Sequence, residues 1–507
     1  MSHLVVLLVL LPLLVGILLI PTSSRSLPWA RLLSLLSAVT QIALALALHL
    51  QVNAGQVLVY ALGNWQAPFG IVLVADRLAV WMILITTSLA FFALLYACRG
   101  VDQAGPHFHS LFQLQLFGLS GAFLTGDLFN LFVFFEVLLL ASYGLLLHGG
   151  GKARTRAGLH FVVVNLAGSS LFLLAAGTLY GMLGTLNMAD MAIKMAAVPP
   201  ENLGLVQAGG LLLFAVFALK GALLPLYLWL PAAYAHTSAP VAALFAIMTK
   251  VGAYSILRLA SLVFGDAAGS SAGLIEPWLL PLALATLVGG MLGALASRGL
   301  RQQIAYLVIA SVGTLLTAFG LGTREGLAAG IFYLPHATFA AAAFFLLADS
   351  IAVRRGSLAD SLEPCETMAN TYVLGGFFFV MAILLGGLPP LSGFLAKAFI
   401  LQAAVNHEIM PWVLGTVLLT SLFAIIALAR SGSLIFYRTI GTEPARGRSG
   451  LGRLSRELTP VMGLLMLCLG LVLWAGPLHE YALSMAEQLG DPQQYIQAVL
   501  PSTGGTP

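Results

Sequence analysis

The chain has 507 residues, of which 60% are hydrophobic and 8% charged, with a mean hydropathy of +0.98. Soluble domains carry roughly 25% charged residues, so an aqueous globular fold is excluded. The formal charge of +4 matters less than how it is spread over the loops.

Apolar runs of about 18 residues or more, long enough to cross a bilayer as helices, repeat along nearly the whole chain. They predict an all-α polytopic membrane protein with fourteen spans, at 3–20, 29–50, 75–98, 108–126, 128–147, 160–183, 203–229, 239–264, 277–297, 302–321, 325–352, 369–402, 411–439 and 458–476. The run from Leu4 to Ile20 lacks a basic start and an A-x-A-like end, so it reads as a first membrane helix rather than a cleaved signal. The tail from Leu478 has the pattern of a short amphipathic helix before a frayed PSTGGTP end.

Basic residues gather in alternate loops. They are Arg25 and Arg31; Arg99; Lys152, Arg154 and Arg156; Arg298 and Arg301; Arg354 and Arg355; then Arg438, Arg446, Arg448, Arg453 and Arg456. The intervening loops hold only Arg77, Lys194 and Arg324. The positive-inside rule then puts the first set in the cytoplasm and both termini outside.

Two spans are interrupted. In the seventh, Lys220 is followed by Gly221 and Pro225; in the twelfth, Gly386, Gly387, Pro389 and Pro390 fall inside a helical pattern. Proline removes a backbone donor, and such breaks are tolerated at membrane depth only where protein or a watery cavity covers them. Broken helices at corresponding places in two halves point to a transporter's ion path. The breaks lie five spans apart, an odd number, so a second unit would be inverted relative to the first.

Four charges lie deep in apolar spans: Glu136, Lys220, Lys250 and Lys397. A charge at the bilayer centre costs at least ~2.5 to 3.5 kcal/mol on insertion scales. Glu136 lies ~13 Å into the fifth span at 1.5 Å per residue. Glu136 and Lys220 are the natural pair, with Lys250 as mid-membrane relay and Lys397 as the last site before an outlet. A static ion pair locking two helices is the bland alternative for Glu136 and Lys220, but it leaves Lys250 and Lys397 without equally deep acids. His336, after Pro335 in the eleventh span, is suited to proton passage, and His236 lies near the cytoplasmic end of the seventh; each could instead be a hydrogen-bonded structural histidine. Asp76, Asp127 and Asp349 read as interfacial, and Arg258 and Arg430 as snorkelling from span ends.

One deep carboxylate among three deep lysines repels cations, whereas hard cations want several oxygen ligands. Protons are therefore the expected cargo of this polypeptide, with the metal cation crossing through a partner subunit or a shared interface. Cys98, Cys365 and Cys468 are far apart, and His107 and His109 diverge on a helix, so no metal site is expected. No phosphate-binding, dinucleotide or nucleophile motif is present, so neither an enzyme nor a cofactor is expected.

The segments TGDLFNLFVFFEVLLLASYGLLL, ALKGALLPLYLWLPAAYAHTSAPVAALFAIMTKVGAYSILRL and GGLPPLSGFLAKAFIL resemble the antiporter-like subunits. That family is shared by the membrane arm of respiratory complex I, membrane-bound hydrogenases and the multisubunit Mrp (Pha/Mnh) antiporters. GDLFNLFVFFE and YALGNWQAPFGIVLVADRL look most like the D-type branch of the Mrp antiporter subunits. The resemblance implies fourteen helices with two inverted five-helix repeats. The divisions are then residues 1–107 (helices 1–3), 108–264 (first repeat), 277–439 (second repeat) and 440–507 (helix 14 and tail). It also implies proton-transfer roles at Glu136, Lys220, Lys250 and Lys397. The eleventh span carries HATFAAAAFF where many relatives have a second basic residue, so transfer from Lys250 to Lys397 would lean on His336 and water.

The expected function is proton conduction within a Na+ or K+/proton antiporter of a bacterial plasma membrane. Its partners would be A, B, C, E, F and G type subunits and lipid, with no nucleic acid. The alternatives are a proton-pumping subunit of a complex I-like enzyme or hydrogenase, and a non-conducting scaffold.

Overall fold

The computed structural model describes residues 3–23, 26–364, 368–438 and 451–500. Arg25, Cys365, Arg446, Arg448 and the PSTGGTP end lie outside the described residues, as does the side chain of Arg453.

Apolar sequence of helical length becomes helix almost everywhere. Helices α1 (His3–Ser23) and α2 (Leu27–Asn53) come first, then a hairpin of β1 (Leu58–Ala61) and β2 (Val72–Ala75). Its antiparallel register pairs Leu58 with Ala75 and Ala61 with Val72. Next come α3 (Arg77–Ala97), α4 (Phe108–Leu124), α5 (Leu128–Leu147), α6 (Lys152–Leu183) and the short α7 (Met188–Met195). Asp76 and Asp127 cap α3 and α5 by accepting from the amides of Ala79 at 2.9 Å and Asn130 at 2.8 Å. The seventh span is split into α8 (Pro200–Gly221) and α9 (Trp229–His236), and the eighth into α10 (Ala239–Phe245) and α11 (Met248–Arg258), which ends in a π turn at Leu259–Val263. Then follow α12 (Glu276–Ala296), α13 (Leu300–Gly320) and α14 (Arg324–Arg354). The broken twelfth span is α15 (Thr371–Gly386) and α16 (Ser392–Ala404). After it come α17 (Met410–Gly432) with its own π turn at Ser433–Tyr437, α18 (Leu451–Leu473), α19 (Ala475–Gly490) and α20 (Pro492–Val499).

Among the described residues, twelve helices are long and apolar enough to cross a membrane. The other two expected spans are the 17-residue α4 and the α15/α16 pair. The hairpin, α7 and the interruption before Lys250 were not expected. The sixth helix starts at Lys152 rather than 160, and the tail forms two helices, α19 and α20, rather than one.

Enclosure varies sharply across the bundle. The most apolar stretches of α14 and of the eighth span are entirely buried, and α13 is 89% buried, whereas α2, α17 and α18 are only 33% buried. The first set forms the enclosed centre of the bundle, and the second lies at its periphery. At one end of the bundle the basic loops converge. Arg31 pairs with Asp102, Arg301 with Asp349, and Arg354 with Glu457, while Arg154 donates to the His236 carbonyl. Helices α19 and α20 pack over the other end, where Gln494 donates to the Gly55 carbonyl at 2.8 Å.

Candidate functional site

Both helix breaks find partners for their freed backbone groups. At the first, the Trp229 indole donates to the Leu219 carbonyl at 3.1 Å, and the Leu224 amide donates to Thr286 Oγ1 at 2.9 Å. At the second, the Lys397 amine donates to the carbonyls of Gly386 at 3.3 Å and Leu385 at 3.5 Å. Lys397 thus closes the helix end that Gly387 and the two prolines leave open.

Lys220 lies in the last turn of α8, buried at 5% exposure. Its amine donates to Ser169 Oγ at 3.1 Å and the Asn165 carbonyl at 3.5 Å, both on α6, and lies 5.5 Å from the Phe135 ring centre. Glu136 is half-buried, its Oε1 is enclosed without a hydrogen-bond partner, and its charge acts on Lys220 through space. No ion pair within 4.0 Å joins the two. The direct pairing expected from sequence is therefore absent in this conformation. Phe135 faces the amine, and the next residue of a helix points about 100° away.

Lys250 is completely buried and donates to Ser311 Oγ of α13 at 3.3 Å. Gly252, one half-turn on, lets α11 cross the first break at backbone contact: a Cβ there would overlap the Gly221 amide nitrogen. That crossing seats Lys250 against the segment carrying Lys220. His336, 2% exposed on α14, shares a 3.0 Å hydrogen bond with Ser392 Oγ and interacts electrostatically with both Lys250 and Lys397. Lys397, partly buried on α16, donates to Ser421 Oγ of α17 at 2.8 Å.

Sequence reasoning found the charges and missed their partners. Ser169, Ser311, Ser392 and Ser421 each meet one of Lys220, Lys250, His336 and Lys397. A hydroxyl both donates and accepts, so each serine satisfies its neighbour in either protonation state. The signal was a serine in an apolar span, common enough to pass unnoticed. His236 stands apart, exposed at the end of α9.

Two expectations fail outright. Asp76 is buried at 2% exposure, not interfacial, and Arg258 does not snorkel: its guanidinium holds Asp76 through two bonds of 2.6 and 2.9 Å. Neither charge could remain enclosed without the other. Asp127 is also largely buried, and burial raises its carboxyl above the ordinary range.

At the basic end, Cys98, Asp102 and His109 bring their ligand atoms within 4.8 Å of one another. Arg31 occupies this cluster, donating to the two Asp102 oxygens at 2.6 and 2.8 Å, while His109 Nε2 lies 3.1 Å from Oδ2. Burial alone would raise the Asp102 carboxyl, but the hydrogen bonds from Arg31 and His109 outweigh it and hold the group down at about 2. Burial pushes the Cys98 thiol up to about 11, aided by Asp102. A resident guanidinium and a protonated thiol suit an ion-paired lock better than a metal centre.

The profile of the NADH:quinone oxidoreductase/Mrp antiporter transmembrane family matches residues 125–424. A probable K(+)/H(+) antiporter D subunit of Rhizobium meliloti (strain 1021) is 43% identical over 99% of this chain and 98% of the relative. The Na(+)/H(+) antiporter D subunit of Alkalihalophilus pseudofirmus is 36% identical over 99% of this chain and its own full length. A chain of the Mrp complex from Dietzia sp. DQ12-45-1b superposes with a TM-score of 0.88 at 28% identity, covering 98% of this chain and 99% of that one. A chain of Thermus thermophilus respiratory complex I gives 0.73 at 26% identity, covering 96% and 100%. Matched through its broken helices and the spans that carry the buried lysines, the chain belongs to the NADH:quinone oxidoreductase/Mrp antiporter transmembrane family.

Proposed function

We propose that this chain is the proton-conducting D subunit of a multisubunit Na+ or K+/proton antiporter in a bacterial plasma membrane, with its basic loops in the cytoplasm and both termini outside. The observation that carries the reading is the series Lys220, Lys250, His336 and Lys397, each on a serine hydroxyl, the first three buried and Lys397 partly so. Glu136 takes up or releases a proton beside Lys220. The change in charge retunes Lys220, and the disturbance passes through Lys250 and His336 to Lys397. His236, exposed at the cytoplasmic end, lies at the inlet.

With one deep carboxylate among three lysines, this subunit moves protons while the metal cation crosses at a partner or a shared boundary. Full-length likeness to relatives named as antiporter D subunits favours this reading over a redox-driven pump. The pump retains some support from the likeness to a chain of a membrane-bound sulfane sulfur reductase, with a TM-score of 0.87 at 25% identity. Cation-induced collapse of the pH gradient in everted vesicles tests the relay, with blots for assembly. Glu136→Ala and Lys220→Ala should each abolish exchange in assembled complexes, and near-normal exchange in both would overturn it.

A further inference from the structure

We propose that Tyr254, Arg258 and Asp76 form a shuttered outlet leading from Lys250 to the outer end of the bundle, with the Asp76–Arg258 ion pair as shutter and Tyr495 as its cover. The inference rests on the proton-relay reading and on the orientation adopted with it. Lys250, Tyr254 and Arg258 recur at four-residue intervals on α11, so they share one stripe of the helix. Tyr254 donates to the Phe123 carbonyl at 2.7 Å and accepts from Arg258 at 3.1 Å, and Arg258 in turn grips Asp76. The Arg258 guanidinium also lies 5.4 Å from the ring centre of Tyr495 on α20.

Arg258 separates two small cavities of about 10 Å³, each room for the centre of one water. The inner one is walled by apolar side chains together with Thr125, Tyr254 and Ser255. The outer one is walled by Asp76, Ser261, Gln488 and Tyr495. It shares Gln488 with a cleft of 540 Å³ and Ser261 with another of 610 Å³. The outer cavity thus shares walls with both larger clefts, whereas none of the wall residues of those two clefts lines the inner cavity. An apolar chamber behind a charged latch conducts only when wetted, which is how hydrophobic constrictions gate. A buried ion pair is a weak source of stability, and one serving only to tie α3 to α11 needs no cavity on either side.

Ser255 lines the inner cavity and bonds only within its own helix, to the Val251 carbonyl at 2.9 Å. A Ser255→Cys complex in right-side-out vesicles is treated with a small membrane-impermeant methanethiosulfonate, with vesicles lacking that cysteine as control. Little labelling is expected while the ion pair and its Tyr495 cover are both intact. Asp76→Asn or Tyr495→Ala should raise the labelling rate at least tenfold and produce a cation-independent proton leak. Equal labelling with or without these changes, no labelling in either background, or labelling only in everted vesicles would each overturn the outlet. Should Asp76→Asn fail to assemble, Tyr495→Ala decides alone, because it leaves both charges in place. The label reads access rather than exchange, so a negative result here leaves the Glu136 and Lys220 test standing.

Discussion

A lysine amine buried without a counter-charge must draw its hydrogen bonds from neutral groups. At Lys250 that group is Ser311. A hydrogen bond to a charged group contributes about 1.5 to 3 kcal/mol, so Ser311→Ala should slow exchange about tenfold or more without loss of assembled complex; unchanged rates in the vesicle assay would exclude the serine from the path. At the basic end, Asp102 makes a different kind of prediction. Its carboxyl is held at about 2, below the ordinary ~3.9, so its contribution to stability is full above ~3.9 and disappears as pH falls through about 2. Asp102→Asn should therefore lower the Tm of the complex by a constant amount at neutral and alkaline pH, and the gap should close only below about pH 4. Residue by residue, the sequence exposes charges well, because a lysine among leucines stands out. It conceals partners: Asp76 lies beside Arg77 in the chain, yet its ion-pair partner is 182 residues away.

Breaks in helices were readable wherever glycine and proline force them, at Gly221–Pro225 and Gly386–Pro390. The interruption at Ala246 and Ile247, just before Lys250, carries neither residue and could not be read. The π turns closing the eighth and thirteenth spans were equally hidden, since an extra residue per turn leaves no compositional mark. What positions Lys250 is an approach between elements. Gly252 lies so close to Gly221 that Gly252→Ala must push α11 off the first break. Overpacking of this kind costs about 1 to 3 kcal/mol. A lower Tm and a loss of exchange exceeding the loss of assembled protein are expected; a variant equal to wild type in both would show that the crossing tolerates a methyl group.

Across the whole molecule, the asymmetry of basic loops is matched by a structural one, since those loops contact one another at one end while α19 and α20 cover the other. Cysteines at exposed Gln497 and Ser357 should therefore label from opposite faces, Gln497→Cys in intact cells and Ser357→Cys only in everted vesicles; labelling of both from one face would refute the assignment. The hairpin, and the docking of the C-terminal helices as a roof, escaped the sequence reading because their partners are remote: Arg77 meets Gln488, 411 residues later. Translation at about 5 to 20 residues per second separates those two residues by roughly 20 to 80 s of synthesis. Throughout that interval the hairpin awaits its cover, although the Asp76 carboxylate gains its guanidinium after only 182 residues. A chain released before the last helices are made would hold the Asp76–Arg258 pair and the hairpin without the roof that Tyr495 and Gln494 supply.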